Sequence, residues 1–253
     1  MRKTTPQLVV LMAALALMLL WAAVARAQPS PAAPPAPPAQ QPPPPQPTLA
    51  ERVAAMKNAL MLSQKTLRQY EWIETTALYV KGEAKSSTQQ RCYYGADGTL
   101  QKVPVTPAAP AQKPKGIRGR IAENKKEEMT DAMKQAIALV KGYIPPDPAA
   151  IQRVHEAGNA SLLVLVPGQR IRLDFRNYRI PGDLLGVEMT LADNRLSGIT
   201  VSSFMDEKQK EPVTLIVQMS KLDDGTGYAR QTDLEVKSKD LRLVVTNSGY
   251  RKQ

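Results

Sequence analysis

From Ala160 to the C-terminus, apolar residues fall on every second position and short polar turns interrupt the pattern. Leu162 to Val166 is followed by the Pro167-Gly168 turn, and then Ile171, Leu173 and Phe175 alternate with Arg170, Arg172, Asp174 and Arg176. Val187, Met189 and Leu191 lead to Asp193-Asn194, and Ile199 and Val201 continue beyond it. After the polar turn Asp206 to Glu211 come Val213, Leu215, Val217 and Met219; Leu234 and Val236 follow Asp223-Asp224-Gly225, and Leu241, Leu243 and Val245 close the chain. A period of two puts one residue set on each face of a strand. None of the connections is long enough for a parallel crossover, so about seven strands must run as an antiparallel meander.

Upstream, the period changes. Thr48 and Glu51 form a capping box, and Leu49, Val53, Met56, Leu60 and Leu67 follow at helical spacing, which predicts a helix of about 18 residues with one face to bury. Strands are predicted over Gln69 to Lys81, Ser86 to Tyr94 and Thr99 to Val105, with Gly95-Ala96-Asp97-Gly98 as a turn. Prolines 104, 107, 110 and 114 then mark an exposed loop, at about 104–120, whose end from Lys113 to Arg120 is basic. Met129, Met133, Ile137 and Val140 predict a second amphipathic helix between Ile121 and Val140. Asp147-Pro148 starts, and Gly158 stops, a short third helix. Helices placed among antiparallel strands make the fold class α+β, an antiparallel sheet packed on an N-terminal helix and two inserted helices.

The first 47 residues belong to neither pattern. Arg2 and Lys3 precede an apolar run from Leu8 to Val24 and then Ala25-Arg26-Ala27, the order of a secretory signal peptide cut after Ala27. At 17 residues the run also sits at the short limit of a membrane-spanning helix, which leaves an uncleaved anchor as the alternative. No Cys follows the cleavage site, so a lipoprotein acylation site is absent. Residues 28–47 are almost wholly Pro, Ala and Gln, a composition that favours extended polyproline II and cannot bury a core. The expected organisation is a signal peptide over 1–27, a spacer over 28–47 and one domain over 48–253, located in the periplasm or secreted.

Catalytic chemistry finds little support. One Cys and one His in 253 residues exclude a disulfide framework and a zinc site built from several such ligands. His155-Glu156 lacks the second His of a metalloprotease helix, and no Gly-x-Ser-x-Gly elbow exists for a serine nucleophile. Asp223-Asp224-Gly225 reads as a hairpin turn, because it lacks the later ligands of a calcium loop. Glu127, Glu128 and Asp131 lie among lysines on a solvated helix face, and Cys92 sits beside Tyr93 and Tyr94 in a strand, as a buried thiol would. The reading is a non-enzyme with no cofactor and no metal.

Charge gives a partner class. The chain carries 34 Lys and Arg against 23 Asp and Glu, and loss of Arg2, Lys3 and Arg26 with the signal peptide leaves +8. Arg170, Arg172 and Arg176 share one strand face, with Arg179 nearby, and such a face suits an anionic partner such as a membrane surface, or is merely solvated. Export and the lack of interleaved aromatic residues argue against nucleic acid.

The element order, with stretches such as Tyr70-Glu71-Trp72-Ile73-Glu74 after the first helix, resembles the bacterial lipoprotein-carrier fold over roughly Thr48 to Gln253. The chain is also similar to exported bacterial proteins that end in an Asp-Gly-Thr hairpin, a strand and Asn-Ser-x-Tyr-Arg-Lys, here Asp224 to Thr226 and Asn247 to Lys252. The carrier resemblance implies a curved, half-barrel-like sheet over helices, with an apolar cavity for lipid or for the acyl chains of a lipidated protein. By that analogy Trp72, Met189, Leu191, Leu215, Val217 and Met219 are candidates for the lining. One departure is composition, since the carriers' lining is notably aromatic and this chain has few Phe and Trp. Two classes of function stay open: a lipid or lipoprotein acyl-chain binder, and an envelope protein that binds another protein without a ligand cavity.

Overall fold

The computed structural model describes residues 49–105, 117–206 and 208–253. The export segment, the spacer and residues 106–116 of the Pro/Lys-rich loop lie outside them, and with that loop Lys113 and Lys115. Helix α1 spans Leu49–Leu67 and leads into strands β1 (Tyr70–Val80), β2 (Glu83–Tyr94) and β3 (Leu100–Pro104). Two helices follow, α2 (Ile117–Lys141) and α3 (Pro148–Glu156). The remaining strands are β4 (Ala160–Val166), β5 (Arg170–Arg176), β6 (Leu184–Thr190), β7 (Arg195–Phe204), β8 (Pro212–Lys221), β9 (Gly227–Val236) and β10 (Leu241–Lys252).

All ten strands form one curved, open antiparallel sheet in the order β3-β2-β1-β10-β9-β8-β7-β6-β5-β4. The seven-strand meander β4 to β10 and the three-strand meander β1 to β3 are joined where β1 pairs with β10, from Tyr70 opposite Lys252 to Val80 opposite Leu241. The fold is α+β, with α1, α2 and α3 against the sheet.

Local chemistry accounts for most boundaries. Asp147 caps α3 by accepting from Ala149 N at 3.0 Å, with Pro148 beginning the helix and Gly158 at φ 71° just after it. Lys81 and Gly82 both have positive φ, the two-residue turn whose twist matches a hairpin. That turn starts β2 at Glu83, three residues before Ser86, because the ladder continues through exposed residues that carry no apolar alternation. Helix α2 likewise starts at Ile117 rather than near Ile121, which places Arg118 and Arg120 in the helix instead of the loop. No proline lies between Pro114 and the end of the helix at Lys141, and Gly119 costs only about 1 kcal/mol.

The core lies on the helix-covered, or inner, face. Two rows of cross-strand neighbours run through it. The first passes from Phe175 through Leu185, Val201, Leu215, Leu234 and Leu243 to Leu78. The second passes from Leu173 through Val187, Ile199, Val217, Thr232 and Val245 to Thr76.

Candidate functional site

The two rows are covered unequally. Over β5, α3 buries Ala150, Ile151 and Val154, and α2 adds Ala132, Met133, Ala136 and Val140, residues at helical spacing on one stripe, to the same core cluster. Phe175, Leu185 and Val187 are 1%, 0% and 1% exposed in consequence. The chain between α2 and α3 is pinned to the following loop by a buried carboxylate. Asp183 accepts the Tyr143 hydroxyl at 2.6 Å and the backbone N–H groups of Tyr178, Arg179 and Ile180, and Tyr143 Oη also lies 2.8 Å from Ser203 Oγ. Burial first, then the bond to Asp183, raises the Tyr143 pKa far above the ordinary phenol range, so it stays a donor. These groups have their hydrogen bonds satisfied within the fold, which is what a structural network requires.

Beneath α1 the inner face is not filled. A cavity of about 560 Å³ lies between the α1 residues Leu60, Ser63, Gln64 and Leu67, the end of α2 with Ile144-Pro145-Pro146, and strands β7 to β10. Its walls are chiefly apolar, with Leu215, Val217, Leu234, Leu243 and Val245 from the two rows and Ile137 and Val140 from α2. One hydrogen bond ties α1 to the sheet, Gly227 N donating to Ser63 Oγ at 3.0 Å. A Cβ at Gly227 would stand 3.2 Å from that oxygen, so glycine permits the helix to approach the β8–β9 hairpin.

An aromatic cluster adjoins the cavity through Tyr228, which is part of its wall. Tyr228 and Tyr250 have ring centres 4.4 Å apart, and Tyr250 stacks on Trp72 at 5.5 Å with the planes 15° apart. Trp72 Nε1 donates to Asn247 Oδ1 at 3.1 Å, and Asn247 Nδ2 to the Ala229 carbonyl at 2.9 Å. At the tip of the β8–β9 hairpin, Asp224 accepts the Tyr70 hydroxyl at 2.6 Å and lies 3.6 Å from Lys252 Nζ. The Tyr70 bond, then those from Thr226, hold the Asp224 carboxyl well below the usual carboxylate range.

Of the six side chains singled out from the sequence, Leu215, Val217 and Met219 stand in the cavity wall, and Trp72, Met189 and Leu191 do not. Trp72 is held in the aromatic cluster, Met189 is 1% exposed opposite Ile171, and Leu191 packs half-buried on the core. Leu60, Leu67 and Ile137 line the cavity from the helices; their apolar stripes were visible, but not which strands those helices lie over.

The four arginines also divide. Arg172 Nε lies 2.8 Å from Asp174 Oδ1, a nearly buried carboxylate, and Arg172 faces Glu188 across the β5–β6 ladder. Arg179 lies over the Tyr143 ring at 5.5 Å and occupies the space beside Gly142, where a Cβ would fall 1.5 Å from its Nη1. Arg170 and Arg176 are exposed on the outer face of β5. Cys92 is fully buried, and burial pushes its thiol pKa up. His155 is exposed, and Glu128 pairs with Lys239 at 2.8 Å. Among the described residues, no three His, Cys, Asp or Glu side chains come together as a metal site, and no helix is long and apolar enough to cross a membrane.

No family model and no curated protein matches the chain. Among solved structures it is similar to a DUF1329 family protein from Desulfovibrio piger, at 10% identity over 79% of this chain and 92% of that one, with a TM-score of 0.35. It is similar also to a LolA superfamily protein from Nitrosomonas europaea, at 9% identity over 78% of this chain and 93% of that one, again with a TM-score of 0.35. Both are weak and partial likenesses.

Proposed function

We propose that this chain is an exported, non-enzymatic binding protein that shelters a lipid acyl chain, free or on a lipidated protein, in the cavity beneath α1. Export would follow cleavage after Ala27, leaving the domain in the periplasm or secreted. The observation that carries the reading is the cavity itself, with its volume of about 560 Å³ and its largely apolar wall. That volume lies within the range of ligand sites. Water in such a space finds few hydrogen-bond partners on an apolar wall. An acyl chain meets the wall on its own terms: ten buried methylenes contribute about 8 kcal/mol, against which the cost of association is set.

A second reading, a protein-binding scaffold, draws on a different feature. Edge strand β4 exposes Leu162, Leu163, Val164 and Leu165, and has neither the Lys nor the Pro that β3 carries at the other edge. Native mass spectrometry of the protein purified from its own host separates the two. The cavity reading predicts a mass excess that matches lipid and disappears on organic extraction. A lipid-free mass, with a co-purifying protein lost when Leu163 and Leu165 are replaced by Lys, would leave the scaffold.

A further inference from the structure

We infer that the occupant of the cavity is a single-chain amphiphile with an anionic head, its chain beneath α1 and its head at Lys141. The inference rests on the reading of the cavity as an acyl site, and it adds the number of chains and the charge of the head.

Volume limits the chain count. An apolar cavity of roughly 150 Å³ holds one benzene, or six carbons. Scaled to about 560 Å³, the same packing accommodates on the order of 20 carbons. One long acyl chain fills the space; the two of a phospholipid or the three of a triacylated protein would extend beyond it into solvent.

Charge fixes the head. Among the described residues Lys141 is the only charged one in the wall, and no carboxylate shares it. It is the last residue of α2 and is solvent-exposed, as is Gln64 of α1, which also borders the cavity. An apolar chamber with a wet rim of one ammonium and one amide matches an amphiphile at both ends. Among the described residues Lys141 makes no ion pair, while ten other Lys and Arg side chains do. The carbonyls of Leu139 and Val140, just before it, already accept from Gly142 N and Tyr143 N. A phosphocholine head also carries a phosphodiester, but its trimethylammonium offsets that charge and repels the ammonium, whereas a carboxylate or a phosphodiester with no cation beside it would pair with Lys141.

Equilibrium dialysis of the delipidated protein at pH 8 and low salt tests this, with probes kept below their micellar concentrations. The probes are palmitate, methyl palmitate, lysophosphatidylglycerol, lysophosphatidylcholine and dipalmitoyl phosphatidylglycerol. Palmitate should bind one to one and roughly fivefold tighter than its methyl ester, the effect of one well-screened ion pair. Lysophosphatidylglycerol should exceed lysophosphatidylcholine by a similar factor, and the tighter of the two anions identifies the head. Lys141→Ala should bring both ratios close to one, and Lys141→Arg should keep them. The position is exposed, so folding is unaffected. Equal binding of acid and ester, ratios that survive Lys141→Ala, or one-to-one binding of the diacyl lipid as tight as palmitate would overturn the inference while leaving the acyl cavity standing. Failure of every probe, the uncharged ester included, would remove the cavity reading with it.

Discussion

The inner face of the sheet is closed beneath α3 and open between α1 and the end of α2, although the same two rows of side chains run through both halves. In the closed half, Leu185 and Val187 are sealed from solvent within the core. In the open half, Leu215 and Leu243 from the same row, and Val217 and Val245 from the next, face a space that α1 spans without filling. The tethers differ in the same way. Tyr143 and Asp183 hold the closed half from inside the core, whereas the buried Tyr70 of β1 holds the exposed Asp224 at the β8–β9 hairpin tip. An alternating strand thus specifies an apolar face, and the helices laid over it decide whether that face becomes core or cavity.

Truncating one leucine in each half gives the largest contrast. Leu185→Ala removes atoms from a fully buried site and should cost about 3 kcal/mol in urea unfolding. Leu243→Ala, in the same row but on the cavity wall, leaves no new void to open and should cost about 1 kcal/mol. Equal costs would erase the distinction between the halves.

A smaller effect is expected from acid at the Tyr70–Asp224 bond. Because the folded Asp224 pKa lies below its unfolded value near 4, its contribution is full above that pH and is lost as the pH falls towards the folded value. Melting temperatures of the wild type and Asp224→Asn, measured from pH 6 to pH 2, should therefore differ by a constant amount down to about pH 5 and converge below pH 4. A gap that stays constant throughout would show that the carboxylate has no special role in closing the hairpin.

Much of this division was legible in residue order. The seven-strand meander followed from alternation alone, and Pro167-Gly168, Asp193-Asn194 and Asp223-Asp224-Gly225 each fell at a strand connection. The row Leu215, Val217 and Met219 was visible as an apolar face, and the structure sets it against the cavity. What alternation does not encode is which helix lies over which strand. Met189 and Val217 have the same pattern in sequence, yet Met189 is sealed opposite Ile171, whereas Val217, itself only 7% exposed, stands in the cavity wall. Trp72 was misleading for another reason: the bulge in the β1–β10 pairing next to it, between Glu71 and Ile73, falls where its ring joins Tyr250. Lys141 closes an amphipathic helix where a basic residue is ordinary, so only its position in the cavity wall sets it apart.

The most direct test of the account puts a carboxylate into each half: Val217→Glu in the open wall and Val187→Glu two strands away in the same row. In packed core an unpaired carboxylate costs several kcal/mol, whereas an open cavity can admit water to it. Thermal unfolding and palmitate binding are measured on both variants and on the wild type. The account predicts that Val187→Glu fails to fold, while Val217→Glu melts within a few degrees of the wild type and no longer binds palmitate. A melting temperature for Val217→Glu that collapses with that of Val187→Glu, together with a wild type that never binds palmitate, would contradict it.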